Sequence, residues 1–251
     1  MDLNLSGKKA LVTGSSKGIG KNIAEALAKE GCYVAINSRD KKNLNEINAK
    51  LENSIAIPGD VTNPIEAKKI INKTISHFES LDILVCNVGS GKSVKPGLED
   101  YFEWENVIKK NLFSSTNIIE ESKEYLSLSK GSIICISSIC GLENIFGAPV
   151  TYSVAKSALN SYVKLSSRHL GKEGIRINAI APGNIYFNGS VWCEKMKEDS
   201  EAVKAMLKKE VSLGKLGTPE DISSLTCFLA SPVSNFITGS IFKVDGGQVR
   251  S

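Results

Sequence analysis

The chain is first bounded by what it lacks. No apolar run in its 251 residues reaches the roughly 20 needed to cross a bilayer, so no membrane partner is expected. The opening Met1-Asp2-Leu3-Asn4-Leu5-Ser6 has neither the basic nor the apolar region of a secretory leader, and a cytoplasmic location is expected. No cysteine pair has the C-x-x-C spacing. Cys32, Cys86, Cys135 and Cys227 lie in or beside apolar runs, Cys140 follows an expected strand, and Cys193 falls in an expected loop. Reduced thiols are therefore expected, not disulfides or metal ligands. Histidine is scarce: His77 and His169 stand far apart on presumed helix faces, a poor basis for a metal site. There is no block of like charge. The net charge of +4 is spread along the chain, which speaks against nucleic acid as a partner. No linker, repeat or low-complexity tract divides the chain. With 41% hydrophobic and 23% charged residues, it has the balance of one large soluble α/β domain.

The residues that are present begin with a strand, a glycine loop and a helix. Lys8 to Thr13 reads as a short buried strand. Gly14-Ser15-Ser16-Lys17-Gly18-Ile19-Gly20 follows, then a helix with Ile19, Ile23, Ala24 and Leu27 on one face. This order lets a pyrophosphate sit on backbone N–H groups at a helix N-terminus, with glycines allowing close approach. The spacing is G-x-x-x-G-x-G, not G-x-G-x-x-G. A tight turn would use glycines too, but the place between strand and helix favours a nucleotide.

The second strand, Tyr33 to Asn37, ends in Asn37-Ser38-Arg39. An acid there would bond the ribose of NAD(H). None is present, and Arg39 can pair with a 2′-phosphate, with Lys17 as a second positive group. Asp40 lies one position too far on. NADP(H) is favoured over NAD(H), against the alternative that Arg39 merely starts an exposed loop.

Further strands are expected at 54–58, 81–86, 131–137, 175–180 and 240–244, with helices at about 41–52, 64–79, 100–127, 152–170 and 219–230. Alternation of this kind implies right-handed βαβ crossovers and a parallel sheet covered on both sides. One irregular stretch, 184–217, carries Tyr186, Phe187, Val191, Trp192 and Met196, with a short helix near 200–210. It reads as a lid over a substrate, or else as a surface excursion or subunit contact.

Tyr152 and Lys156 stand four residues apart at the start of a helix, so both reach one site. A nearby ammonium would lower the phenol's pKa and let Tyr152 trade protons with a substrate. Alone, Y-x-x-x-K is common by chance, and the other motifs give it weight.

Taken together these motifs resemble the classical short-chain dehydrogenases/reductases over essentially the whole chain. Thr13-Gly14-x-x-x-Gly18-Ile19-Gly20 is similar to the family's cofactor loop, Asp60-Val61 to its adenine contact, and Cys86-Asn87-Val88-Gly89 to its Asn-Asn-Ala-Gly. Asn111, Ser138, Tyr152 and Lys156 match its catalytic residues. Pro182-Gly183 matches the turn under the nicotinamide, and Val244-Asp245-Gly246-Gly247 the C-terminal signature. The resemblance implies an α/β fold in one domain, a Rossmann-type doubly wound parallel sheet of about seven strands with helices on both faces. It implies cofactor contacts from Gly14, Ser16, Lys17, Gly18, Ile19 and Gly20, from Ser38 and Arg39, and from Asp60, Val61, Asn87 and Gly89. Tyr152, Lys156, Pro182, Gly183 and Ile185 would complete them. Tyr152 would exchange the substrate oxygen's proton and Ser138 would polarise that oxygen. Lys156 would lower the tyrosine pKa and hold the ribose, and Asn111 would bind a relay water.

Several residues depart from the pattern. Cys86 loses a bracing amide, Val88 crowds its loop, and Gly89-Ser90-Gly91 loosens it. Phe187 stands where the family has a Thr that bonds the carboxamide. Thirteen residues separate Ser138 from Tyr152; alignment on Ser138 keeps an S-x-x-G pattern with Gly141, and Ser137 is the fallback.

The expected activity is hydride transfer between NADP(H) and a ketone or secondary alcohol. A 3-oxoacyl-thioester reductase is the first form, and a dehydrogenase of a sugar, polyol or small polar ketone the second, with Tyr186, Phe187 and Trp192 stacking and Asn188 and Glu194 bonding hydroxyls. A catalytically silent cofactor-binding regulator is the third, which the intact Asn111, Ser138, Tyr152 and Lys156 oppose. In the family, helices matching 100–127 and 152–170 make dimers and tetramers. The apolar surplus on the second helix (Ala155, Ala158, Leu159, Tyr162, Val163, Leu165) supports a homo-oligomer, against packing within one chain.

Overall fold

The computed structural model describes residues 2–250. Seven strands, β1 (Lys9–Thr13), β2 (Tyr33–Ser38), β3 (Ser54–Pro58), β4 (Ile83–Cys86), β5 (Ser132–Ile136), β6 (Arg176–Pro182) and β7 (Ile241–Val244), form one sheet in the order β3-β2-β1-β4-β5-β6-β7. Every pairing is parallel. The sheet is what the strand–helix alternation predicts, with strand ends displaced by one or two residues.

Strands such as Ile83–Cys86 and Ser132–Ile136 are buried throughout. They read as unbroken apolar runs because both faces are covered. Successive residues point to opposite faces and enter different cores. Leu11, Leu84 and Ile133 meet α3 (Pro64–Phe78), α5 (Ser114–Ser129) and α6 (Val150–Lys172) through Ile70, Ile118 and Val163. Val12, Val85 and Ile134 meet α1 (Gly18–Lys29), α2 (Lys41–Asn48) and α9 (Pro219–Ala230) through Ile23, Leu44 and Ile222. Each such fully buried Leu or Ile contributes roughly 1.5–3 kcal/mol.

Chain order runs outward from β1 to β3, then returns to place β4 beside β1. Helices from the two halves leave in opposite directions there, opening a crevice at the C-terminal strand ends. Thr13, Ser38, Pro58, Cys86, Ile136 and Pro182 all end at that edge.

Two differences from the sequence reading concern the site. The single helix expected at 100–127 is α4 (Tyr101–Ile108) and α5, separated by a π-turn at Lys109–Phe113. Asn111 Nδ2 donates to the Val107 carbonyl at 3.1 Å and Ser114 Oγ to the Lys110 carbonyl at 2.6 Å. These side chains compete for carbonyls the helix would use, and the ladder widens. The 184–217 stretch holds α7 (Val191–Glu198) as well as α8 (Ser200–Glu210). Cys193 is thus buried in a helix, not exposed in a loop. Asp199 both ends α7 and caps α8 by accepting from Ala202 N, a device that breaks the apolar period.

Candidate active site

The loop after β1 is shaped by close packing. A Cβ on Gly20 would lie 2.3 Å from Asn87 Nδ2 and 2.4 Å from the Gly14 carbonyl, so glycine is obligatory there. Gly18, with φ of 56°, turns the chain into α1. Lys17, exposed, precedes α1 and makes no side-chain bond to it, and Ser16 is partly buried. The leading N–H groups of α1 therefore have no capping side chain, and they suit an anion such as a diphosphate.

Asn87 ties this loop to β4. Its backbone N–H donates to Thr13 Oγ1 at 3.0 Å, and its Nδ2 donates to the carbonyls of Thr13 and Gly14, both at 3.1 Å. The amide missing at Cys86 is not needed for this brace. Cys86 is buried and lies opposite Cys135 across β4–β5, where the two free thiols are within hydrogen-bonding reach of each other. Val88 packs over Gly14 without crowding, since Gly14 has no side chain to meet it.

At the end of β2, Ser38 is buried and bonded to the Asp40 backbone. Asp40 caps α2 by accepting from Asn43 N at 3.1 Å. Arg39 is exposed and pairs with Asp60 at 3.6 Å, a screened pair worth under about 1 kcal/mol. Its guanidinium can exchange that partner for a phosphate. Burial tends to raise Asp60, but bonds from Thr62 and the charges of Arg39 and Lys109 outweigh it and hold the carboxyl below its usual value. Glu66 accepts from Asp60 N at 2.6 Å. Sequence reading missed Glu66, although Asn63 followed by Glu three residues later is a helix-start signature. Val61 is buried in the α3 core.

Ser138, Tyr152, Lys156 and Asn111 meet where β5 ends. The Ser138 hydroxyl bonds the Tyr152 phenol, and it accepts from Cys140 N at 3.2 Å. Ser137, the fallback, is buried with its hydroxyl unpartnered and its N–H on the Ile180 carbonyl. Gly141 lets this loop lie on α6: a Cβ there would be 2.6 Å from the Lys156 carbonyl carbon. Ser157 Oγ and Asn160 Nδ2 both donate to the Gly141 carbonyl at 3.1 Å.

Two findings bear on the expected roles of Lys156 and Asn111. Lys156 Nζ donates to the Ile136 carbonyl at 2.8 Å and lies 5.8 Å from the Tyr152 ring centroid. Desolvation raises the Tyr152 pKa from 10.0 to about 12, so burial outweighs any lowering by the ammonium. Burial also lowers Lys156 from 10.5 to about 8. The Asn111 side chain is engaged within the protein: Oδ1 accepts from Ser90 N at 2.9 Å and Nδ2 donates to the Ser90 and Val107 carbonyls. Those bonds pin the Gly89–Gly91 loop expected to be loose. Gly89 sits beside Asn111 Oδ1 and Lys156 Nζ, and Gly91 beside the Tyr152 ring.

Across the crevice, Gly183 N donates to the Val244 carbonyl at 2.9 Å, following buried Pro182. Ile185 is buried and bridges Gly217. Lys92 pairs with Glu194 of α7 at 3.1 Å, joining the loop after β4 to the 184–217 segment, a contact sequence spacing does not signal. Trp192 lies under Lys195, with 4.7 Å from Nζ to its centroid. A cavity of about 240 Å³ opens between α7 and α8, lined in part by Trp192, Val203 and Met206. Among the described residues no His, Cys, Asp and Glu cluster could hold a metal.

A Tyr–Ser pair beside a glycine loop at a helix N-terminus, on the C-terminal edge of a doubly wound sheet, is the arrangement of a nicotinamide-dependent oxidoreductase. The comparisons agree. The family model described as enoyl-(acyl carrier protein) reductase matches residues 14–248. The 3-oxoacyl-[acyl-carrier-protein] reductase FabG of Staphylococcus epidermidis is 35% identical over 247 residues, 96% of this chain and 98% of its own. A tropinone reductase homolog of Arabidopsis thaliana is 35% identical, over 97% of this chain and 93% of its own. The L-sorbose reductase of Gluconobacter frateurii, solved with NADPH and L-sorbose, superposes with a TM-score of 0.94 at 27% identity, covering all of both chains. The chain belongs to the short-chain dehydrogenase/reductase family. It is an enzyme acting between C=O and CH–OH, and the absence of an acid at Ser38-Arg39 fits it to NADP(H).

Proposed function

We propose that this protein is an NADPH-dependent ketone reductase whose substrate is a 3-oxoacyl thioester. The observation that carries the reading is the Tyr152 phenol bonded to Ser138 where β5 ends, beside the glycine loop. Held in its neutral form, the phenol is a proton donor at neutral pH, as reduction of a carbonyl requires. NADPH, when bound, would supply the hydride. The α1 N-terminus, Gly14 to Gly20, Asp60, Val61, Asn87, Gly89 and the Pro182–Ile185 turn would hold it, with Ser38 and Arg39 at the 2′-phosphate. Ser138 would bond the carbonyl oxygen and stabilise charge developing there. Lys156 would hold the ribose from its seat on Ile136, and Asn111 would position the loop that carries Gly89.

The thioester reading is supported by 35% identity to FabG over nearly both whole chains. A polar-ketone reading draws on the L-sorbose reductase; Glu194 pairs with Lys92 and Trp192 lies under Lys195, surface contacts that a substrate could exchange. The 184–217 segment acts as the lid. Exposed Tyr101, Phe102, Val154 and Leu165 on α4 and α6 favour a homo-oligomer, a dimer or tetramer. No helix among the described residues is long and apolar enough to cross a membrane, in keeping with a cytoplasmic enzyme.

The test is NADPH consumption with a 3-oxoacyl thioester and with a keto-sugar, using Tyr152→Phe as control. A kcat/KM higher for the thioester by about 1.4 kcal/mol or more, tenfold, is expected. Preference for the keto-sugar would reverse the order of the readings.

A further inference from the structure

Phe187 stands where the family resemblance calls for Thr, and its ring does something a Thr cannot. A Cβ built on Gly18 would lie 2.5 Å from Phe187 Cε2 and 2.6 Å from Cζ, so the ring edge is in contact with the Gly18 backbone. Gly18 is the first residue of α1, at the end whose N–H groups have no capping side chain. The ring offers no acceptor to those donors, and it lies against the residue that leads them.

The backbone beneath the ring is fixed on both sides. Tyr186 N donates to the Gly217 carbonyl at 2.8 Å and Gly217 N to the Asn184 carbonyl at 2.9 Å. Phe187 N donates to Ser190 Oγ at 3.2 Å, and Ser190 N returns a bond to the Phe187 carbonyl at 3.0 Å. Ile185 is buried in the core under α1, and Phe187 packs against the same core. With the main chain held, the ring can leave Gly18 only through the side-chain torsions of Phe187.

We propose that Phe187 is a gate on the dinucleotide cradle: its ring lies over the Gly18 end of α1, and a diphosphate reaches those N–H groups once the ring turns away. The proposal rests on NADP(H) as the cofactor. The ring-on-Gly18 state does not bind, so the apparent affinity of the whole protein is its intrinsic affinity reduced by the open fraction. Removing the ring raises the open fraction. It therefore speeds association, and it does so for ligands with a diphosphate and not for the adenosine end alone.

The experiment is stopped-flow NADPH fluorescence on wild type, Phe187→Ala and Phe187→Thr, with calorimetric titration of adenosine 2′-monophosphate and a thermal melt on each. The gate predicts that both variants associate with NADPH about tenfold faster, while the affinity for adenosine 2′-monophosphate stays within about twofold. Should Ala loosen the segment and lower the melt, Thr, which keeps a branched side chain, carries the comparison. Equal NADPH association rates in all three proteins would overturn the gate with the cofactor reading intact. Failure of all three to bind either ligand would overturn the cofactor reading and the gate with it.

Discussion

Lys156 Nζ donates to the Ile136 carbonyl oxygen at 2.8 Å, which seats the ammonium at the end of β5 behind Tyr152. Tyr152 and Lys156 both ride on α6, but the strand end holds the ammonium apart from the phenol, 5.8 Å from Nζ to the ring centroid, and this separates holding a ligand from exchanging a proton.

Tyr152→Phe removes the proton donor but leaves the ring in place. Turnover should fall by about 10² to 10⁴, while NADPH binding, read by fluorescence titration, should be unchanged. Retained turnover would move the proton donor elsewhere.

Arg39→Asp places a carboxylate where a 2′-phosphate would sit. Charge-assisted bonds of this kind are worth about 1.5–3 kcal/mol, so NADPH should weaken ten- to hundredfold more than NADH. Equal loss for both would remove Arg39 from the phosphate site.

Lys156 also makes a prediction about stability. Its pKa falls from 10.5 to about 8 on folding. Between those values the unfolded chain binds the extra proton, so stability rises with pH across that window. The full effect is about 3 kcal/mol. Tyr152, raised from 10.0 to about 12, acts in the opposite sense above about pH 10. Urea unfolding from about pH 7 to 9.5 should show a rise in wild type relative to Lys156→Met. The raised thiols of Cys32, Cys86 and Cys227 are common to both proteins and drop out of the difference. Parallel curves would mean that Lys156 keeps its proton in the folded state.

Gly141→Ala tests how the catalytic loop is seated. The added methyl would meet the Lys156 backbone at 2.6 Å, an overpacking of about 1–3 kcal/mol. The loop should lift from α6 and carry Ser138 off Tyr152, lowering kcat more than it raises the KM for NADPH. An unchanged kcat would show that Ser138 is held by its own strand end.

The sheet was legible because its strands are unbroken apolar runs separated by helical periods, and parallel burial writes that pattern plainly. The dinucleotide loop was legible because Gly18 and Gly20 answer backbone geometry, which leaves a mark on sequence. The π-turn at Asn111 was not, since it arises from side chains competing for carbonyls inside an otherwise helical period. The burial of Tyr152 was not legible for a different reason. Spacing places Lys156 near the phenol but says nothing of how far both are from water, and desolvation decides the sign. The Lys92–Glu194 pair joins residues 102 apart, with no local pattern to announce it.

Val203, Leu207 and Val211 form a core of their own, with Trp192, Met196, Met206 and Leu216 around it, separate from the two cores that clothe the sheet. A part with its own interior can be rebuilt without disturbing its neighbour. Substitutions within this small core would reshape the proposed lid while leaving the sheet's packing untouched. What the enzyme accepts can thus drift in evolution faster than how it reacts.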